Sequence, residues 1–164
     1  GKLDMILDGG PCEFGIESTM VNLSDGMPSI LRHGVVTREM LEETLGFAVP
    51  DAGKNAPRAS GRLKSHYAPR TKLELHDEAS LLTRASELAD QRIAVMAPAE
   101  LLARLPVRPV FAIAAESDPL AYGRALYENL HELDRAGADR ILALRTPSTG
   151  PWAAVADRLG RAAA

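Results

Sequence analysis

Residues 61–69 read Gly-Arg-Leu-Lys-Ser-His-Tyr-Ala-Pro and lie within a longer run, residues 52–72, that holds six basic residues and no acidic one. On either side of this run the chain becomes apolar and periodic, which predicts a connector between two packed bodies. Cations, a stacking ring at Tyr67 and a titratable imidazole at His66 suit a nucleotide or another polyanion. The alternative is a solvated basic linker whose histidine and tyrosine only pack.

The composition is typical of a globular protein. The 164-residue chain is 46% hydrophobic with a formal net charge of −3, so it can bury a core and is not disordered by composition. The overall acidity argues against a general nucleic-acid coat, and the positive charge is concentrated in the connector. The single cysteine, Cys12, excludes an internal disulfide and any multi-cysteine metal site. No apolar run approaches the roughly 20 residues that span a bilayer, and without a signal-peptide pattern we expect a cytoplasmic location.

Strand and helix patterns alternate downstream of the connector. Asp118 and Pro119 begin the longest helix as N-cap and first residue, because a proline at that position sacrifices no hydrogen bond. Such alternation predicts an α/β domain with a parallel sheet and helices on its faces. Strands are predicted at residues 73–76, 92–97, 107–114 and 140–144, and the other helices at 78–90, 99–105 and 152–163.

Upstream of the connector, residues 1–50 contain too few elements to bury a sheet. Asp25-Gly26 predicts a turn between two strands. Thr37 and Gly46 are the expected caps of one helix. Strands are predicted at residues 3–7, 20–23 and 29–32. The predicted apolar side of the helix consists of Met40, Leu41, Thr44 and Leu45.

Two short segments upstream of the connector carry candidate binding groups. Glu17-Ser18-Thr19 offers a carboxylate and two hydroxyls, which can bind a polar substrate or satisfy nearby backbone groups. No histidine or aspartate lies at a spacing that would make a serine nucleophile. Arg32 precedes His33-Gly34, and a guanidinium beside glycine suits either a phosphate or a surface salt bridge.

Other polar groups give weaker signals. Residues 146–150, Thr-Pro-Ser-Thr-Gly, precede a helix and could hold an anion at its N-terminus. They lack the glycine spacing and the lysine of a P-loop. The four histidines show no metal-ligand spacing; they are His33, His66, His76 and His131.

Four motifs in one order make the pattern specific: residues 8–11 (Asp-Gly-Gly-Pro), 15–21 (Gly-Ile-Glu-Ser-Thr-Met-Val), 31–34 (Leu-Arg-His-Gly) and 64–69 (Lys-Ser-His-Tyr-Ala-Pro). The chain thereby resembles the two-domain form of threonylcarbamoyl-AMP synthase, a YrdC-like catalytic domain joined to a Rossmann-like domain. The similarity continues through Leu126-Tyr127, Leu133-Asp134, Gly137 and Asp157-Arg158-Leu159.

The resemblance implies three regions. Residues 1–48 resemble the last strands and helix of a YrdC-like α/β domain, residues 49–72 the basic interdomain linker, and residues 73–164 a small Rossmann-like parallel-sheet domain. The family's earlier Lys/Arg-containing and Ser-x-Asn segments have no counterpart in these 164 residues. We therefore expect the missing N-terminal part of the catalytic domain to be a partner, and this chain alone to be inactive.

The resemblance also implies a reaction. The family makes threonylcarbamoyl-AMP from L-threonine, bicarbonate and ATP with release of pyrophosphate, and the product enters tRNA threonylcarbamoyladenosine synthesis through the threonylcarbamoyl-transfer machinery. Ser18, supported by Thr19, is the implied threonine contact. Arg32, His66 and Tyr67 are the implied ATP contacts. ATP is a substrate, with Mg²⁺ bound through the nucleotide and no metal site on the protein. The resemblance assigns no catalytic residue.

Two other interpretations remain open from the sequence. In one, residues 73–164 are a non-enzymatic regulatory or docking module. In the other, the chain is part of a carbamoyl-transfer relative with another acceptor. The loop at Gly150-Pro151-Trp152 departs from the Gly-Leu-Gly of the family, so the resemblance assigns it no role.

Overall fold

The computed structural model describes residues 3–10, 12–24, 26–53, 55–57, 60 and 67–164. Its first part contains β1 (Met20–Asn22), β2 (Ser29–Arg32) and α1 (Arg38–Leu45). The second part contains β3 (Leu73–His76), α2 (Glu78–Glu87), β4 (Ile93–Ala97), α3 (Ala99–Leu102), β5 (Phe111–Ala114), α4 (Pro119–Arg135), β6 (Arg140–Leu144) and α5 (Ala153–Ala162), with a 3₁₀ turn at Gly150–Trp152.

The second part is a four-stranded parallel sheet in the order β3-β6-β4-β5. Every residue of the inner strand β4 is buried, as expected for a strand covered on both faces. Helices α4 and α5 pack on one face and α2 and α3 on the other. The predicted parallel α/β fold is therefore confirmed.

The residues at which the helices begin agree well with those predicted from local capping signals. Asp118 accepts a hydrogen bond from the Ala121 N–H at 2.7 Å and caps α4, with Pro119 in its first turn. The predicted strand at 107–114 begins only at Phe111, since Pro109 cannot donate to a neighbouring strand. The predicted apolar stripe of α4 is buried: Tyr122, Leu126, Leu130 and Leu133.

The first part is built on an antiparallel hairpin of β1 and β2, as predicted, although Asp25 of the predicted turn lies outside the described residues. The start of the connector extends this sheet. The Ile30 N–H donates to the Pro50 carbonyl and the Ala52 N–H to the Ile30 carbonyl, each at 2.8 Å. The connector therefore leaves the first part as a short paired segment alongside β2.

One expectation for the first part was wrong. Residues 3–7 form no strand; Leu3 and Leu7 are 74% and 88% exposed, because no described strand lies beside them. Helix α1 has the predicted caps, Thr37 and Gly46, but none of its residues is buried. Periodicity marks an apolar face without revealing whether anything covers it.

The division at residues 48 and 72 remains a prediction. None of the described helices is long and apolar enough to cross a membrane.

Candidate functional site

Ser18 and Thr19 lie in an extended segment that enters β1 and crosses the turn after β2. The Thr19 hydroxyl donates to the Val36 carbonyl at 2.6 Å. A Cβ at Gly34 would lie only 2.2 Å from the Thr19 nitrogen, a distance that no side chain tolerates. The glycine in Arg32-His33-Gly34 thus allows the segment to lie directly on the turn.

Arg32 is 9% exposed and holds this segment from β2. Its Nε donates to the Ser18 carbonyl at 3.1 Å and its Nη2 to the Ser18 hydroxyl oxygen at 3.4 Å. Its Nη1 donates to the Ser60 carbonyl of the connector at 3.1 Å. The exposed Ser18 hydroxyl can accept from Arg32 and still donate to a ligand oxygen. The structure therefore brings two predicted site residues into contact.

Tyr67, the fourth predicted site residue that the structure describes, lies beside the same segment. Its hydroxyl donates to Glu17 Oε1, and its ring packs on Tyr127 with 4.7 Å between the centroids. Its φ of 68° is left-handed, which costs a non-glycine residue about 1–2 kcal/mol. Contacts must therefore hold this conformation. His66 lies outside the described residues.

Glu17 joins the connector to the second part of the molecule. Its Oε2 accepts from the Tyr127 hydroxyl at 3.1 Å and from Arg158 Nε at 2.9 Å. Arg158 is fully buried in α5, and its Nη2 donates to the His33 carbonyl at 3.0 Å. We call Glu17, Tyr67, Tyr127 and Arg158 the Glu17 cluster.

The charges of the Glu17 cluster are fixed by its geometry. Partial burial acts to raise the pKa of Glu17, but a backbone hydrogen bond and the Arg158 guanidinium outweigh it and hold this pKa below its ordinary value. Burial, with the Glu17 charge beside it, raises the pKa of Tyr127 to about 12. At neutral pH the carboxylate is therefore ionised and Tyr127 is a hydrogen-bond donor.

Sequence reasoning missed Tyr127 and Arg158 as site residues. One available signal was the position of Arg158 four residues from both Ala154 and Ala162 on the buried side of α5. A charged residue on the apolar face of a helix needs a partner. Nothing local indicated that this partner would be Glu17.

The loop at residues 146–150 lines a separate cavity. Ser148 and Thr149 face His33 and Asp51 across about 290 Å³. The His33 Nε2 lies 2.8 Å from Asp51 Oδ1. Across the described parts of the chain, no group of three or more His, Cys, Asp or Glu side chains could hold a metal ion.

Comparison with known proteins identifies a family that this chain matches. Residues 36–164 match the family model described as "Threonylcarbamoyl-AMP synthase, C-terminal domain". The chain is 28% identical over 171 residues to the threonylcarbamoyl-AMP synthase of Bacillus subtilis, covering 99% of the chain and 49% of the relative. It is 29% identical over 177 residues to that of Pyrococcus abyssi, covering 99% and 50%. The chain spans about half the length of these curated relatives.

Two solved structures share the fold. The crystal structure of P. abyssi Sua5 complexed with L-threonine matches with a TM-score of 0.76 at 24% identity, covering 95% of this chain and 48% of the other. A P. abyssi Sua5 variant with an adjacent histidine and tyrosine replaced by alanine matches with a TM-score of 0.73 at 22% identity, covering 95% and 47%. At these identities the match establishes the fold alone.

Proposed function

Because the chain belongs to the family of threonylcarbamoyl-AMP synthase C-terminal domains, we propose that it is the C-terminal part of an L-threonylcarbamoyladenylate synthase. This enzyme, a nucleotidyltransferase, converts L-threonine, bicarbonate and ATP into threonylcarbamoyl-AMP and pyrophosphate. The product serves threonylcarbamoyladenosine modification of tRNA and passes to the transfer machinery. The remaining part of the catalytic domain supplies the rest of the site.

The observation that carries this proposal is the contact between Ser18 and Arg32. Arg32 fixes both the carbonyl and the hydroxyl of Ser18, while Thr19 is tied to Val36. A hydroxyl held in this way suits a small polar substrate such as threonine, with Ser18 as the contact and Thr19 as support for the segment. The L-threonine complex of P. abyssi Sua5, which has the same fold, supports this choice of substrate.

The nucleotide is proposed to bind next to the amino acid. Arg32 contacts Ser18 directly, and Tyr67 contacts Glu17, the residue before Ser18. A nucleotide that reaches Arg32, Tyr67 and the adjacent His66 would therefore lie beside threonine. Adenylation needs this arrangement, because the carbamate oxygen must meet the α-phosphate. Mg²⁺ would arrive with ATP and neutralise phosphate charge.

The test uses the full natural protein that carries this chain. We expect pyrophosphate release that requires L-threonine, bicarbonate and ATP together. Ser18→Ala should raise the KM for threonine by roughly tenfold, because one hydrogen bond to the substrate is lost. Ser86→Ala is the matched control, since Ser86 is exposed on α2, which packs on the face of the sheet opposite to α4 and α5.

Two further results bear on the proposal. Pyrophosphate release that ignores threonine would contradict it. The 164 residues alone should release none, because the family's upstream Lys/Arg-containing and Ser-x-Asn segments have no counterpart in them.

A further inference from the structure

We propose that Arg158 is a positioning residue for the threonine site. Through its bonds to Glu17 and to the His33 carbonyl, this residue of helix α5 determines the positions of Ser18 and Arg32. The inference rests on the proposed function, because it concerns the same site. It assigns a task in that site to a helix that contacts neither substrate in the proposed arrangement.

The first step concerns the two acceptors that Arg158 binds outside its own helix. Nε donates to the side chain of Glu17, which precedes Ser18. Nη2 donates to the backbone carbonyl of His33, which follows Arg32. One guanidinium thus holds the immediate neighbours of both members of the Ser18–Arg32 pair. Because the guanidinium is planar and rigid, its two bonds fix the separation between those neighbours.

The second step is burial. The Arg158 side chain is 0% exposed, while Glu17 is 30% exposed. A buried guanidinium that loses one of its acceptors keeps an unsatisfied N–H donor, which is unfavourable. Nη1 is bound to Asp157 at 2.8 Å, within the same helix. Among the described residues, the bonds from Nε to Glu17 and from Nη2 to His33 are therefore the ones that link Arg158 to the Ser18–Arg32 pair. A displacement of Ser18 that carried Glu17 along would therefore break a bond that α5 cannot replace.

The third step is the sharing of the Glu17 carboxylate. Oε2 receives Arg158 and Tyr127, and Oε1 receives Tyr67 from the connector. Tyr67 also packs on the Tyr127 ring. Two rings and one guanidinium from different segments therefore define a single position for the residue before Ser18. The connector and α5 act on the site through the same group.

The experiment compares Arg158→Lys with Arg84→Lys. A lysine keeps the charge but cannot make the two bonds in the same geometry. Arg84 is a matched control, because its Nε and Nη1 bind Glu74 and Glu87 on the α2 side of the sheet. In the natural protein we expect Arg158→Lys to raise the threonine KM about tenfold, about the value of one charge-assisted hydrogen bond. Arg84→Lys should leave the threonine KM unchanged.

A second readout needs no activity. Hydrogen exchange of the paired amides of β1 and β2, which adjoin Ser18 and include Arg32, should accelerate about tenfold in Arg158→Lys relative to the control at equal global stability. Glu17→Gln serves if Arg158→Lys does not fold, since Glu17 is partly exposed. The Glu17→Gln, Arg158→Lys double variant should have a threonine KM no higher than the worse single variant, because both remove the same link.

The outcomes separate the two proposals. Unchanged amide exchange and threonine KM in folded Arg158→Lys would overturn the positioning role. Additive losses in the double variant would also overturn it, since they indicate independent damage. If the wild-type protein shows no threonine-dependent turnover, the proposed function fails, and the amide exchange alone then decides whether Arg158 positions Ser18.

Discussion

Glu17 is ionised in a partly buried position, where donors from the connector, α4 and α5 converge on its two oxygens. Burial by itself would raise the pKa of this carboxyl, yet the Glu17 backbone bond and Arg158 lower it. The interactions of the charged form therefore outweigh its desolvation. Because folding lowers the pKa of Glu17, the contribution of the cluster to the unfolding free energy should decrease as the pH falls.

The pH prediction concerns Glu17→Gln. A carboxyl whose pKa is lowered by folding stabilises the protein above its unfolded pKa, and that stabilisation is lost as pH falls through the folded pKa. The wild type should therefore exceed Glu17→Gln in unfolding free energy at pH 6–7. The difference should shrink as pH falls below about 4.5, the ordinary value of this group. Denaturant unfolding of both proteins from pH 7 to 3 measures it; a difference that grows in acid would contradict the assignment.

Gly34 gives a second prediction at the residue scale. A Cβ there would collide with the Thr19 nitrogen at 2.2 Å, so Gly34→Ala must push the Ser18–Thr19 segment off the turn. We expect a loss of about 3 kcal/mol in unfolding free energy. Gly160→Ala is the control: nothing lies within 4 Å of its Cβ position, and alanine in α5 should add up to about 1 kcal/mol. Equal effects of the two changes on denaturant unfolding would show that the segment has room to move.

The candidate site was only partly predictable from sequence. The Ser18–Arg32 contact follows from the β1–β2 hairpin, which pairs Met20 with Arg32 and leaves Ser18 just beyond. The pair Glu17 and Arg158 is separated by 141 positions. No periodicity links such distant residues, because their contact depends on how α5 docks on the first part of the chain.

At the scale of elements, capping and periodicity predicted what local interactions decide. The caps Thr37, Asp118 and Gly46 came out as expected. The position of β6 between β3 and β4 could not be predicted from the sequence, because alternating strands and helices leave the strand order open. Residues 3–7 have strand composition, but a strand needs a neighbour to pair with.

Helix α1 carries the prediction at this scale. It buries no residue, so its caps contribute a large share of its stability. The Thr37 hydroxyl oxygen accepts from the Met40 N–H at 3.3 Å, and Thr37→Ala should cost about 1 kcal/mol. Amide exchange within α1 should then rise about fivefold. Thr83→Ala, in the middle of α2 with its hydroxyl bound to the Ala79 carbonyl, should leave α2 exchange unchanged or slower, because alanine favours helix. Identical behaviour of the two helices would argue against the capping role.

At the scale of the whole molecule, the two parts of the chain differ in what they bury. The α/β part, residues 73–164, has its own core on both faces of the sheet. The first part contributes few buried apolar residues, Ile30 and Val49 among them. Its contacts with the α/β part include the Glu17 cluster, the Arg124 Nε bond to the Glu13 carbonyl at 2.8 Å and the Ile16 side chain close to Gly123 of α4. We therefore expect residues 73–164 to fold alone.

Arg158 distinguishes the intact chain from that fragment. In the chain it is fully buried against Glu17 and His33, so Arg158→Met leaves Glu17 without its cation and should cost about 3 kcal/mol. In the fragment 73–164, Glu17 and His33 are absent while Asp157 remains beside the guanidinium, and water can replace the lost acceptors, so the same change should stay within about 0.5 kcal/mol. Leu126→Ala is the control, since Leu126 belongs to the core of the α/β part and should cost about 2–5 kcal/mol in both proteins. Denaturant unfolding of the six proteins gives all four differences. Equal costs of Arg158→Met in chain and fragment would mean that Arg158 serves the fold of the α/β part by itself, and not its attachment to the segment that carries Ser18.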